Sequence, residues 1–150
     1  MNQDILRLPR KTLYALDAVL DVAYNARPDP VQSKDITARQ NIPPRYLEQA
    51  MQQLVRAGIL KGVRGPRGGY TLARERRRIS VADIVSIISA DEEETDTGSD
   101  LGLEVVRPLW HEIQAEIMER LAGITLEDLC RRAEKAGVPK ATGHARDFTI

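Results

Sequence analysis

Apolar residues recur at helical spacing in several separate stretches of this chain, and one short β-prone stretch lies between them. Leu13, Leu16, Leu20 and Ala23 follow Pro9, a residue placed to open a helix, and Arg27-Pro28-Asp29-Pro30 closes it. Ser33 is positioned to cap a short helix over 34–40, and Asn41-Ile42-Pro43-Pro44 turns into a third helix. There Leu47, Ala50, Met51 and Leu54 fall on one side, while Arg45, Glu48, Gln49, Gln52 and Arg56 fall on the other. Gly58 ends that helix. Ile59 to Val63 is a β-prone run, Gly65-Pro66-Arg67-Gly68-Gly69 is turn chemistry, and Tyr70-Thr71-Leu72 leads away from it. Helix, short helix, helix and hairpin in this order predict a winged helix-turn-helix.

Beyond the hairpin, Arg74, Arg76, Arg77 and Arg78 form a basic cluster that suits either a phosphate clamp or a solvated turn. Ser80 caps a helix over 81–90 with Val81, Ile84, Val85 and Ile88 on its apolar face. The run from Asp91 to Asp100 has neither periodicity nor apolar content and reads as a flexible loop. Val106, Leu109, Trp110, Ile113, Ile117, Leu121 and Ile124 then make a long helical stripe, with Pro108 marking a first turn or a kink. The stripe is covered either within the chain or by a second copy, and with so little core remaining the second copy is the natural cover, through Leu109, Trp110, Ile113, Ile117 and Leu121. Thr125 and Asp128 have the spacing of a capping box, and Cys130 shares the inner face of that last helix as a small apolar residue. The fold class is mainly α with a small β wing. Its parts are a DNA-binding domain at 1–90, an acidic loop at 91–101, dimerisation and C-terminal helices at 102–136 and a flexible tail at 137–150.

The polar side of the third helix suits solvent or a major groove equally well, and the hairpin after it favours the groove. Glutamine pairs bidentately with adenine, a carboxylate accepts from cytosine, and arginine suits guanine or phosphate. Arg64 and Arg67 flank a tip too small to shield them from a phosphate backbone or a narrow minor groove. In the first helix Arg10, Lys11, Thr12 and Tyr14 occupy the opening turn, where positive charge opposes the helix dipole unless phosphate is nearby. A net charge of zero conceals an asymmetry that fits this picture. Residues 1–80 carry 15 Lys and Arg against 7 Asp and Glu, and residues 81–150 carry 7 against 15. The first part is built to meet a polyanion, although such a dipolar surface also suits self-association.

With 150 residues, 42% of them hydrophobic, the expectation is one compact domain plus an extension. No apolar run is long enough to span a membrane and the N-terminus lacks the pattern of a signal peptide, so a soluble cytoplasmic protein is expected. The single cysteine excludes an internal disulfide framework and any site within one chain built from several thiolates. His111 and His144 lie far apart and no phosphate-binding glycine loop exists, so no catalytic constellation can be assembled.

From about Tyr14 to Leu129 the chain resembles the IscR/NsrR/CymR family of bacterial winged-helix transcription regulators. The resemblance rests on Tyr14-Ala15-Leu16, Pro30-Val31, Asp35-Ile36, Tyr46-Leu47-Glu48-Gln49, the run from Val63 to Tyr70, Leu109-Trp110 and Ile124-Thr125-Leu126. It implies a homodimer on a partly palindromic DNA operator, with Glu48 and Gln49 reading bases and Arg64 entering the minor groove. Lys11, Tyr14, Arg45, Tyr46, Gln52 and Arg67 complete the expected DNA contacts. Several members hold an iron-sulfur cluster on three cysteines in the loop before the long helix, often with a histidine two residues before Leu-Trp. Here that loop is acidic and lacks cysteine, and Arg107 takes the histidine's place. Carboxylates are poor cluster ligands, so no iron-sulfur cofactor is expected, and a hard cation on the acidic loop is only a weak alternative. Another branch lacking the cysteines resembles regulators of cysteine metabolism that take their signal from cysteine synthase. The end Asp147-Phe148-Thr149-Ile150 is similar to the C-terminus of serine acetyltransferases, whose terminal isoleucine docks into that enzyme. Either this tail docks a partner through Asp147, Phe148 and Ile150, or it frays. The reading is a DNA-binding repressor with cysteine synthase as candidate partner. The alternatives are a winged-helix interaction module and a regulator sensing a small molecule.

Overall fold

A computed structural model describes residues 5–25, 29–90 and 98–141. Helix α1 (Arg10–Asn25) lies at the centre, with α2 (Ser33–Gln40), α3 (Pro44–Arg56), α4 (Val81–Ser89) and α6 (Leu126–Lys135) all packed on it. Its wholly buried apolar side chains are Ala15, Ala18, Val19 and Val22. The leucines whose spacing marks this helix in the sequence are less enclosed: Leu13 is 45% exposed, and Leu16 and Leu20 are half-buried against the core. A helix enclosed by several others needs small side chains where backbones approach, and its longer ones are displaced to the margins.

Asp21 joins α1 to α2 through a carboxylate with no exposed surface. Arg39 donates to it from Nε at 2.9 Å and Nη2 at 2.8 Å, and Gln40 Nε2 donates at 2.8 Å. Ser33 does not cap α2 as its residue type suggests; it is the first helical residue, and Gln32 holds the cap position with an extended backbone. The reason is a bridge just before it, where Val31 and Tyr70 exchange backbone hydrogen bonds of 2.9 and 2.8 Å that keep the chain extended up to Gln32. At the end of α3, Gly58 turns left-handed at φ +79°. Its N–H donates to Val55, and that of Ile59 donates to Leu54, which closes the helix in a Schellman arrangement.

Strands β1 (Leu60–Val63) and β2 (Gly69–Leu72) form an antiparallel hairpin, pairing Leu60 with Leu72 and Val63 with Gly69. A 3-10 turn (Arg76–Arg78) follows. Both later caps are complete boxes: Ser80 with Asp83 on α4, and Thr125 with Asp128 on α6. The two cap segments bridge each other, Val81 N–H to Ile124 at 2.8 Å and Leu126 N–H to Ile79 at 2.9 Å. The arginine cluster is partly engaged within this corner. Arg77 lies 2.6 Å from Glu75 and Arg76 3.7 Å from Glu127, which favours a structural turn over a phosphate clamp.

Helix α5 (Arg107–Ala122) continues from a π-helical turn (Gly102–Val106), and Asp100 and Leu101 are already helical. The acidic loop thus ends earlier than 101, and Pro108 stands in the first turn of α5, as expected, on a helical path that already begins before it. Proline lacks an N–H and its ring collides with the carbonyl four residues back, here that of Glu104. The π-turn widens the helix at this point, with Arg107 N–H reaching Gly102. The boundary at 137 also moves. Tyr24 Oη donates to the Val138 carbonyl, Ala141 N–H donates to Asn25 Oδ1 at 2.9 Å, and Lys140 Nζ sits 5.2 Å from the Tyr24 ring centroid. Residues 138–141 are therefore a strap on the end of α1 rather than free tail. Asp147, Phe148 and Ile150, and the acidic residues 91–97, lie outside the described residues.

Candidate nucleic-acid interface

Helix α3 buries Leu47, Ala50, Met51 and Leu54, which turns Arg45, Glu48, Gln49, Gln52 and Arg56 to solvent. Pro44 stands in its first turn, where no N–H is needed, so the helix starts cleanly after Pro43. Glu48 lines a groove of about 500 Å³ with Pro44 and Leu47, facing Ser33, Lys34 and Thr37 of α2 and Tyr70 of the wing. Gln52 lies elsewhere, with Val55, Arg56, Gly62 and Tyr70. Tyr70 of the wing borders both groups.

At the base of α3, Tyr14 and Tyr46 meet in a tilted ring contact with centroids 5.6 Å apart, and the Arg45 guanidinium lies 5.3 Å from the Tyr46 centroid. This cluster joins α1 to α3, and Lys11 stands one turn before Tyr14 on α1. Arg10 is exposed, but Thr12 of the same opening turn is fully buried and out of reach of a phosphate. It points inward because position 12 lies on the same side of α1 as Ala15 and Val19.

At the wing tip, Gly68 N–H donates to the Gly65 carbonyl at 2.9 Å, placing Pro66 and Arg67 at the two central positions of a turn. Arg64 and Arg67 are both exposed. Glycine is obligatory at the end of this turn: a Cβ on Gly68 would sit 2.2 Å from the Val63 carbonyl oxygen. A Cβ on Gly69 would sit 2.3 Å from that of Val31. The wing motif is thus a close-contact solution that holds two arginines forward of the body. The part of the groove contributed by α2 was not foreseen. Its only sequence signal was the side of α2 opposite Ile36, where Lys34 and Thr37 lie one turn apart.

On α5 no residue is buried. Leu109, Trp110 and Ile117 are each about half exposed, and Ile113 and Leu121 are partly covered. Leu101, Leu103, Val105 and Val106 extend the same apolar exposure toward the π-turn.

Residues 8–132 match the model of the Rrf2 family, described as iron-dependent transcriptional regulators. This chain belongs to the Rrf2 family. Among relatives, the HTH-type transcriptional regulator IscR of Xenorhabdus nematophila is 36% identical over 134 residues, covering 86% of this chain and 82% of the relative. A putative HTH-type transcriptional regulator, ORF2 of Azotobacter vinelandii, is 37% identical over 134 residues, with the same coverage. Among solved structures, IscR of T. potens superposes with a TM-score of 0.73 at 34% identity, covering 93% of this chain and 97% of that one. CymR, the global cysteine regulator of B. subtilis, superposes at 0.68 and 30% identity, covering 85% and 98%. The protein is a winged-helix transcriptional regulator of the IscR/CymR type, not an enzyme.

The family description implies iron, and the residues of this chain do not fit a cluster held by several thiolates. Its one cysteine, Cys130, is fully buried on α6, and burial pushes its thiol above the ordinary range. Among the described residues no three His, Cys, Asp or Glu side chains converge in a way that could hold a metal ion. No helix among the described residues is long and apolar enough to cross a membrane.

Proposed function

We propose that the protein is a homodimeric, cluster-free repressor that reads a two-fold symmetric DNA operator. Glu48 and Gln49 contact base edges in the major groove. Lys11, Tyr14, Arg45, Tyr46 and Gln52 position the helix, while Arg64 and Arg67 enter the neighbouring minor groove. The observation that carries this is the joint placement of an exposed polar face on α3 and a two-arginine wing tip, on a half of the chain with eight more basic than acidic groups. The exposed apolar face of α5 through Leu109, Trp110, Ile113, Ile117 and Leu121 supplies the dimer contact. The test is selection from a randomised duplex pool by the full-length protein. A two-fold symmetric motif whose binding is lost in Glu48→Ala is expected; an enriched pool with no motif refutes sequence reading.

A second element of the reading concerns the signal. The structural neighbour CymR is a global cysteine regulator, and the strap at 138–141 is held on the end of α1 as far as Ala141. The tail, with Asp147, Phe148 and Ile150, then docks cysteine synthase, and binding of partner and DNA are linked reciprocally. Titration into cysteine synthase, following loss of its activity, tests this. Inhibition by the intact chain but not by one lacking Ile150 supports it, and no inhibition by either removes it.

A further inference from the structure

Helix α2 begins in an unusual way. Its cap residue, Gln32, has the extended backbone of an N-cap, φ −83° and ψ 146°, yet its side chain accepts nothing from the helix. Serine, threonine, asparagine and aspartate are strongly preferred there because their short side chains reach the free N–H groups. The Gln32 carboxamide points the other way. Its Nε2 donates to the carbonyl of Pro66, at the tip of the wing, over 3.3 Å. Thirty-four residues of chain separate the two, and the bridge between Val31 and Tyr70 brings the segments side by side.

We infer that Gln32 is a positioning residue for DNA recognition: it braces the wing tip against the start of α2 and so sets the direction of Arg67. The link is covalent geometry. The Pro66 carbonyl and the Arg67 N–H belong to one planar peptide group, so a bond that fixes this carbonyl also fixes the plane from which Arg67 departs. Neighbouring contacts do not supply this restraint. The Val31 bridge holds the wing at Tyr70, one residue inside β2, and the turn bond from Gly68 to Gly65 closes the tip only upon itself. The start of α2, with Ser33 and Lys34 on the groove that Glu48 also lines, carries no side-chain cap of its own. One side chain thus holds the α2 and wing portions of the interface in register.

The inference rests on the wing contact in the proposed function, and the experiment separates the two. The proteins are the full-length wild type, Gln32→Ser, Gln32→Ala, Arg67→Ala and the Gln32→Ser/Arg67→Ala double variant. The probe is the duplex that the wild type recovers from a randomised pool, and thermal unfolding is measured alongside. Serine removes the brace but caps α2, so its midpoint of unfolding rises by about 2–4 °C while affinity falls about threefold to tenfold. A residue that matters only for folding cannot move the two in opposite directions. Gln32→Ala shows the same loss of affinity without the gain in stability. Arg67→Ala weakens binding in the wild-type background and has a smaller effect in the Gln32→Ser background, because the unbraced arginine is no longer aimed. Unchanged affinity in both Gln32 variants, with Arg67→Ala still impaired, overturns the brace alone, as do strictly additive losses in the double variant. An Arg67→Ala protein that binds like the wild type overturns the contact of Arg67 and the brace with it.

Discussion

Removing Arg39 should destabilise the protein more than removing Asp21, although Arg39 is the more exposed of the two. The Asp21 side chain has no exposed surface and that of Arg39 is 30% exposed. In Arg39→Ala the carboxylate stays buried and retains only Gln40 Nε2, which donates to one of its two oxygens. Breaking a buried pair from the side that leaves a charge stranded costs about 3–5 kcal/mol. In Asp21→Ala the guanidinium turns to the solvent it already touches, and the loss is that of the charge-assisted hydrogen bonds, about 1.5–3 kcal/mol. The difference of roughly 1.5–2 kcal/mol is resolvable by urea unfolding with a common m-value. The double variant Asp21→Ala/Arg39→Ala should be more stable than Arg39→Ala alone, because it no longer buries a lone carboxylate. Equal losses from both single variants, or a double variant at the sum of the two, refute the reasoning. Since Asp21 fixes α2 to α1, operator affinity should fall in the same order.

Replacing both Trp110 and Ile117 by glutamate places charge on the exposed face of α5, and sedimentation should show a shift to monomer with weakened operator binding. Unchanged dimer content would place the subunit contact elsewhere. Gly69→Ala forces a Cβ against the Val31 carbonyl, so it should cost about 1–3 kcal/mol in chemical unfolding and loosen the wing, read as faster amide exchange at Tyr70. The Thr125 backbone N–H, and then its hydroxyl, hold the Asp128 carboxylate below its usual range. A depressed folded-state value stabilises above the unfolded value near about 4 and is lost as pH falls through the folded one. Asp128→Asn should therefore be less stable than wild type at pH 7 and approach it in acid, followed by circular dichroism along a pH series. A constant difference across that series would contradict the cap assignment.

The face of α3 was legible because four apolar residues at helical spacing leave a single inward side, whatever packs on it. The wing was legible because Gly68 and Gly69 stand where no side chain fits. The existence of α1 was legible from its leucine spacing, but not which residues it encloses, because periodicity records which residues are apolar, not how closely neighbours approach, and a central helix favours alanine over leucine at its closest contacts. The start of α2 could not be read locally at all. It depends on Val31 pairing with Tyr70, a contact between distant residues that no nearby pattern encodes. The strap at 138–141 was missed for the same reason, since Asn25 and Tyr24 receive it from more than a hundred residues away. The π-turn was half legible: Pro108 announced a disturbance, but not that the helix absorbs it by widening.

The most direct test of the central claim is the salt dependence of binding to the selected duplex, measured for wild type, Arg64→Ala and Glu48→Ala. Each phosphate neutralised contributes about −0.9 to the slope of log affinity against log salt. The expected result is a steep wild-type slope, a shallower one by about 1 in Arg64→Ala, and in Glu48→Ala a loss of sequence preference with the slope retained. A shallow wild-type slope that neither substitution changes would contradict a DNA-reading role for α3 and the wing.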